Sequence, residues 1–344
     1  MLEIRVRRAS PKSASILTAH HTANASLTDP VEFAVPEKRG DTRAAMRDAY
    51  PAAIAHCADS ILRMHAAEKM ANKIFGRNLQ SHAAGLLLVM HCEAEFGLGA
   101  PPTLAALSRE MGRSRSLATF FGVLRLAGYV KRQPVPGDAR SYVLVPSSQL
   151  FDGLRGWLTT HARCCEIMGL TPPGFARRLE DANWLRLYLA SARDLLQRTR
   201  EATNGDGAWA WFDRFDCGDR VAMLLLRTHH DAAAGPDENG LIWFAFDGSS
   251  LGRTLGISRS HVRNIINGAE AAGYLVQNHA AGRIALRASF LDEMNAWFCR
   301  FWGWVAETHD RTALRVAGGA AVPPKGQEDC FADLRKGRAS TEDG

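Results

Sequence analysis

Residues 107–117 read LSREMGRSRSL, and residues 251–261 read LGRTLGISRSH. Both stretches carry the pattern Gly-x-Ser-Arg-Ser, and the second begins 144 positions after the first. Each is followed by Ala-Gly-Tyr, at 127–129 and at 272–274, so the second copy has one extra residue between these anchors. The chain therefore contains an internal repeat, and the fold that we predict rests on it.

Each copy has the pattern of a helix-turn-helix. Gly112 and Gly256 stand where a tight turn favours glycine, and Ser114 and Ser258 are suited to cap the second helix at its N-terminus. The apolar positions of the two second helices correspond at a shift of 145 residues. They are Leu117, Phe120, Phe121 and Leu124 in the first copy, and Val262, Ile265, Ile266 and Ala269 in the second. We expect all eight side chains to face the core.

A β-hairpin, or wing, is predicted after each second helix. In the first copy, 129–133 and 140–145 form the strands and 134–139 contains the turn. A further helix is predicted after each wing, and the one from 290 to 305 is apolar around most of its circumference. Such a helix is buried in the core or at a subunit interface. We favour the interface, and hence a homodimer formed through this aromatic C-terminal helix.

Between the copies, the apolar spacing from 173 to 202 predicts one long amphipathic helix that ends at the stop signal 204–207. The predicted fold class is therefore mainly α, with two winged helix-turn-helix domains, small antiparallel β wings and a long linker helix. The predicted segments are a disordered basic arm (1–40), a helical region with the first winged-helix domain (41–168), the linker helix (169–207), the second winged-helix domain (208–310) and a disordered tail (311–344).

The basic charge is concentrated in the two copies. The net charge of the chain is +6. Residues 103–146 contain seven Lys and Arg against two acidic residues, and residues 247–288 contain five Arg against two. An excess confined to the repeated units predicts a polyanionic partner. The alternative is chance clustering on solvated faces.

The chemistry of the second helices points to double-stranded DNA, because the second helix of a helix-turn-helix enters the major groove. Arg pairs with guanine edges and Asn with adenine edges, so the second copy has the better base-reading set. The predicted DNA-binding residues of the helices are Arg113, Ser114, Arg115, Ser116 and Thr119 in the first copy, and Ser258, Arg259, Ser260, His261, Arg263, Asn264 and Asn267 in the second. The alternative is that these polar side chains merely face solvent.

The wing of the first copy carries Asp138 and Arg140, with Lys131 and Arg132 on the strand before them. Over residues 104–158 the chain resembles the winged helix-turn-helix regulators of the MarR type. The resemblance implies that Arg140 enters the minor groove, that Asp138 steadies it, and that Lys131 and Arg132 also contact DNA.

The second wing differs from the first. It lacks the aspartate and offers Arg283 and His279, so it looks like a generic winged helix, with Arg283 as its predicted contact. We therefore expect DNA anchoring to be weighted toward 113–140 and base reading toward 258–267.

Catalysis and metal binding are not supported by the sequence. P-loop and His-Glu-x-x-His motifs do not occur, so we expect no enzyme. His161, Cys164 and Cys165 are too few for a closed zinc site, and we expect no metal or cofactor. The seven scattered cysteines predict reduced thiols. No apolar run approaches the roughly 20 residues of a membrane helix. Only seven of the 42 basic residues are Lys, which suggests a bacterial genome, and we expect a cytoplasmic, nucleoid-associated protein.

The function expected from these observations is sequence-specific binding of double-stranded DNA by a transcriptional regulator with tandem winged helices. Two alternatives stay open. A plasmid or phage replication initiator would also fit tandem winged helices, and a winged-helix scaffold would bind protein instead of DNA.

Overall fold

The computed structural model describes residues 42–319, except 67, 68, 77, 113, 114, 136 and 137. The predicted basic arm, 1–40, lies outside the described residues, as does 320–344 of the predicted tail. The described part of the chain is mainly helical, with small antiparallel sheets.

The elements fall into three groups along the chain. The first group is α1 (Thr42–His65), α2 (Lys69–Ile74), α3 (Asn78–Glu95), α4 (Leu104–Met111), α5 (Arg115–Leu126), β1 (Val130–Val135), β2 (Asp138–Pro146) and α6 (Ser148–Ile167). The second is α7 (Phe175–Arg178), α8 (Ala182–Ala190) and α9 (Arg193–Thr203). The third is α10 (Ala208–Asp213), α11 (Gly218–Asp231), β3 (Trp243–Ala245), α12 (Gly248–Leu255), α13 (Arg259–Ala271), β4 (Leu275–Asn278), β5 (Arg283–Leu286) and α14 (Ala288–Ala317).

The repeat seen in the sequence is also a repeat in the backbone. The order helix, helix, turn, helix, hairpin, helix occurs once as α3 to α6 and once as α11 to α14. Helix α5 has 12 residues and α13 has 13, which places the extra residue of the second copy inside its second helix. After each of these helices, Tyr129 N donates to Leu124 O and Tyr274 N to Ala269 O, both at 2.9 Å. The two copies therefore close their second helices in the same way.

The turn between the first and second helices needs glycine in both copies. Gly112 and Gly256 have φ values of 66° and 71°, in the left-handed region that favours glycine. In the second copy a side chain at Gly252 would also collide with the carbonyl oxygen of Ile257, 2.9 Å from its Cβ position. The predicted role of both turn glycines is confirmed.

The predicted inward faces of α5 and α13 are confirmed. All eight apolar side chains are at most 6% exposed, from Leu124, Ile265 and Ala269 at 0% to Phe120 at 6%. Each second helix is thus held to the body by one apolar stripe, which leaves its other side for solvent or a partner.

The two sheets differ in their number of strands. In the second copy β3, β5 and β4 form a three-stranded antiparallel sheet in that order, with Trp243 opposite Ala285 and Leu275 opposite Leu286. In the first copy β1 and β2 form a two-stranded sheet, and an isolated bridge joins Thr103 to Val143 where β3 would pair. The first wing therefore has longer strands, and a single bridge takes the place of the third strand.

The prediction of one linker helix is wrong, because the segment forms three short helices, α7, α8 and α9. Asp181 starts α8 by accepting hydrogen bonds from the backbone N–H groups of Asn183 and Trp184 at 2.8 and 3.1 Å. Leu185 and Tyr188 are then buried, at 1% and 0% exposure. The buried apolar residues of this segment are thus spread over short helices that belong to the core.

The predicted disordered tail is wrong for its first residues, since α14 continues to Ala317. Thr312 is fully buried, and Arg311 donates to the carbonyl oxygen of Ser191 at 3.0 Å and to Asp194 at 3.2 Å. These contacts with the α8–α9 segment hold the end of α14 in place.

The aromatic side chains of α14 are covered by the chain itself. Trp302 is fully buried, and Trp297 and Phe301 are 6% and 1% exposed. Trp302 Nε1 donates to His161 Nδ1 at 3.2 Å, which ties α14 to α6. The aromatic surface from which we inferred a homodimer is therefore core, and the dimer stays a prediction without that support.

Candidate nucleic-acid interface

The outer face of α13 carries most of the base-reading residues predicted for the second copy. Ser258 Oγ accepts a hydrogen bond from the backbone N–H of His261 at 3.1 Å, so the predicted N-cap is confirmed. Ser258, Arg259, Ser260, Arg263, Asn264 and Asn267 are all exposed. The helix therefore starts at a fixed point and presents a polar face opposite its apolar stripe.

Three predicted arginines meet beside this face. Arg259 and Arg263 from α13 and Arg283 from β5 line a groove of about 270 Å³ between the helix and the second hairpin. His279 from the hairpin turn lines it too. We call this the wing groove. Residues 24 positions apart in the sequence thus form one basic surface, which can bind phosphate or the acceptor-rich edge of guanine.

An aspartate, Asp247, also lines the wing groove, and its carboxylate is already hydrogen-bonded within the protein. Asp247 accepts hydrogen bonds from the backbone N–H groups of Ser250 and Ser249, at 3.1 and 2.9 Å, and thereby caps α12. These two bonds lower the pKa of Asp247, and the nearby charges of Arg253 and Arg259 lower it further. The carboxylate therefore serves the helix end, and the arginines keep the groove basic.

Two predicted residues of α13 are used within the protein. His261 is half-buried, and its Nε2 donates to the backbone carbonyl of Asp216 at 3.1 Å, so it does not point outward as expected. It is the extra residue of the second copy, and the insertion turns it toward the neighbouring loop. Asn267 is exposed but accepts a hydrogen bond from Gln277 Nε2 at 3.1 Å. Asn264 is thus the more accessible amide of the helix.

The outer face of α5 in the first copy is much less polar. Arg115, Ser116 and Thr119 are exposed as predicted, and the Thr119 hydroxyl donates back to the carbonyl of Arg115 at 3.3 Å. Val123 and Leu126 on the same helix are 42% and 85% exposed. Arg113 and Ser114, with the cap predicted for Ser114, lie outside the described residues. The visible face of α5 is therefore poorer in hydrogen-bonding groups than that of α13.

The first wing presents exposed cations on β1. Lys131 and Arg132 are exposed, and the guanidinium of Arg132 lies 5.8 Å from the ring centroid of Tyr142 on β2. This cation–π contact holds Arg132 across the hairpin. Asp138 and Arg140 belong to β2, and their side chains lie outside the described part of the structure. The role that the resemblance implies for them stays a prediction.

Each helix-turn-helix is braced by a residue from outside its own copy. In the first copy Arg200 of α9 donates to the carbonyl oxygens of Glu110 and Met111, at 2.6 and 3.2 Å, at the end of α4. In the second copy Asn72 of α2 donates to the carbonyl of Leu255, the equivalent of Met111, at 3.3 Å. Both braces satisfy helix-end carbonyls that the helix itself cannot pair.

An ion-pair cluster strengthens the first brace. Arg193 of α9 pairs with Glu93 at the end of α3 and, at 2.5 Å, with Glu110 of α4. The first of these contacts raises the pKa of Arg193 further above its usual range. Helix α9 is therefore fixed to the first helix-turn-helix, a contact that no local sequence pattern predicts.

Two basic residues near the second helix-turn-helix escaped the sequence prediction. Lys73 at the end of α2 and Arg253 of α12 are exposed and line a second groove, of about 980 Å³, together with Arg259. Arg253 occupies the same place in the repeat as Arg109, so a comparison of the two copies could have identified it as a candidate DNA contact. Lys73 carried no such signal.

The described residues contain no group of three or more His, Cys, Asp and Glu side chains placed to hold a metal ion. The six described cysteines are free thiols, and Cys57, Cys164 and Cys165 are buried in the core. No helix in the described ranges has the length and apolar character needed to cross a membrane. No family model matches the sequence, and neither a curated protein nor a solved structure was found to match it.

Proposed function

We propose that this protein binds double-stranded DNA through two winged-helix units and acts as a sequence-specific transcriptional regulator. The observation that carries the proposal is the wing groove. There Arg259, Arg263 and Arg283 converge from two elements beside the exposed Asn264 of a capped helix. Base edges can be read by Arg and Asn, while phosphates can be held by the remaining cations.

The two units have different tasks in this proposal. The second unit reads bases through α13, which is the more polar helix. Its wing brings Arg283 to the same groove as a phosphate contact. The first unit anchors the DNA backbone with Lys131 and Arg132, which are exposed on strand β1 of its wing. In this division, binding strength depends on both units and sequence choice depends on α13.

A protein partner for the first unit is the second candidate, and a specific observation favours it. Leu126 and Val123 leave an apolar strip on the outer face of α5, where a base-reading helix would carry polar groups. If this candidate is correct, replacing Arg259 and Arg263 leaves the biological activity intact, while replacing Leu126 by Glu removes it.

The proposal is tested by incubating the full chain with fragmented genomic DNA and sequencing what is retained at increasing salt. We expect retention of a limited set of fragments, with binding that weakens steeply between 50 and 200 mM salt, by about 10³-fold or more if six or more phosphates are contacted. Fragments from promoter regions support a regulator, and repeated sequences beside an origin support a replication initiator. No salt-sensitive retention of any fragment overturns DNA binding.

A further inference from the structure

The larger groove lies between the two copies and is lined mainly by polar and basic residues. It runs between the end of α2, the start of α3 and the turn from α12 to α13. Lys73, Arg253 and Arg259 line it with exposed cationic side chains, and Gln80 adds an amide. We call it the α2 groove. Asp216 is the one carboxylate among its lining residues, so the charge of the lining is positive.

The brace at the floor of the α2 groove is uncharged, unlike the brace of the first copy. Asn72 donates to the carbonyl oxygens of Leu255 at 3.3 Å and of His65 at 2.8 Å. His65 Nδ1 donates to Asn72 Oδ1 at 2.6 Å, and Arg220 donates to His65 Nε2 at 3.2 Å. Burial, and then the charge of Arg220, lower the pKa of His65 to about 4, so this imidazole is neutral at neutral pH.

This difference between the copies means that the cations of the α2 groove are not needed to pair the end of α12. In the first copy, Arg200 reaches the end of α4 and donates hydrogen bonds to two backbone carbonyls there. In the second copy a neutral amide performs that task, and the cationic side chains of Lys73 and Arg253 stay exposed in the groove. Cationic side chains that line one groove repel one another, and a bound anion reduces that repulsion.

Arg259 connects the two grooves, because it lines both the wing groove and the α2 groove at the first turn of α13. We propose that the α2 groove binds a phosphate group of the DNA backbone next to the bases that α13 reads, with Lys73 and Arg253 as its ligands. This inference rests on the proposed function. It extends the footprint of the second unit to α2, which lies outside the winged helix itself.

The chemistry of the α2 groove, more than its size, fits a phosphate backbone. Its volume of about 980 Å³ lies at the upper end of the range for small-molecule pockets, roughly 300–1,000 Å³. Such pockets are predominantly apolar, whereas this one has cationic and amide side chains on its walls. A free phosphate or nucleotide would share the same recognition chemistry, and the experiment separates it from the DNA backbone.

The test compares Lys73→Gln and Arg253→Gln with the wild-type chain and with Arg178→Gln, a control at an exposed arginine of α7 outside both grooves. Affinity for a fluorescent 30-base-pair duplex of mixed sequence is measured from 50 to 300 mM KCl. Each groove variant is expected to reduce the slope of log affinity against log salt by about 0.9, as the loss of one phosphate contact predicts. The control and the charge-retaining Lys73→Arg should keep the wild-type slope.

A parallel arm measures whether inorganic phosphate raises the thermal midpoint of the same variants. If the wild type binds the duplex and both groove variants keep its slope, the α2 groove does not bind the backbone, and the proposed function survives. If phosphate stabilises the wild type but neither variant, while the duplex slopes stay equal, the groove binds free phosphate and the backbone assignment is overturned. If the wild type does not bind the duplex at 50 mM salt, the proposed function itself fails.

Discussion

Replacing Arg200 by Ala tests whether α9 braces the first helix-turn-helix. The change removes two hydrogen bonds from a charged donor to the carbonyl oxygens of Glu110 and Met111. A hydrogen bond that involves a charged group contributes about 1.5–3 kcal/mol. Because Arg200 is only half-buried and one contact is as long as 3.2 Å, the lower end of that range applies to the pair together. We expect a loss of about 1.5 kcal/mol in the free energy of unfolding.

The same substitution has a second, more specific readout. His82 on α3 is 8% exposed, and burial and then the charge of Arg200 lower its pKa to about 4. Removing the guanidinium should therefore raise the pKa of His82, while burial keeps it below the usual value. Urea unfolding gives the free energy, and an NMR titration of the His82 ring gives the pKa.

Arg177→Ala is the matched control, since Arg177 is an exposed arginine of α7 and not of α3, α4 or α9. It should change neither quantity. The brace is refuted if Arg200→Ala unfolds with the wild-type free energy and leaves the pKa of His82 unchanged. A loss of stability without a change in that pKa would mean that Arg200 acts elsewhere in the fold.

Three further predictions follow from the same contacts. Asn264→Ala should change which base is preferred at one position of the bound sequence, by about 1–3 kcal/mol, whereas Arg283→Ala should weaken the binding of all sequences alike. Affinities for a panel of single-base variants of the bound site test both expectations. Equal losses of affinity across the panel for Asn264→Ala would contradict the assignment of base reading to α13. Gly256→Ala should lower the free energy of unfolding by about 1–2 kcal/mol, because residue 256 has φ 71°; an unchanged urea midpoint contradicts this. Since the pKa of His82 is lowered to about 4 in the folded protein, the free energy of unfolding should be highest above the unfolded pKa of about 6.5 and fall as the pH drops from there to 4, by up to about 1.4 kcal/mol per pH unit. His82→Gln should make this fall less steep. An equal dependence of the free energy of unfolding on pH in the variant and the wild type, measured by urea unfolding, would refute the prediction.

What the sequence predicted correctly is local. Turn glycines, helix caps and apolar stripes depend on residues within a few positions of one another, so Gly256, Ser258 and the stripe of α13 were found where expected. The agreement between the two copies added a check that a single helix-turn-helix pattern lacks. The order of elements in each copy followed from the same local signals.

What the sequence did not predict depends on contacts between distant residues. Asn72 and Leu255 are 183 positions apart, and Arg200 and Met111 are 89 apart. The split of the linker into three helices and the burial of Trp302 both result from packing against helices far along the chain. His261 faced inward because the loop at Asp216 offers it a carbonyl, which no helical periodicity reveals.

The most direct test of the account compares the DNA affinity of the wild type with that of the triple variant Arg259→Gln, Arg263→Gln and Arg283→Gln. The reference is a genomic fragment that the wild type retains, and Arg177→Gln, Arg178→Gln and Arg315→Gln together match the lost charge outside the grooves. The account predicts that the wing-groove variant loses fragment selectivity and, for the phosphate contact of Arg283, about 0.9 from its salt slope, while the matched variant keeps both. Equal binding by the wing-groove variant and the wild type would contradict the claim that this groove is the DNA interface.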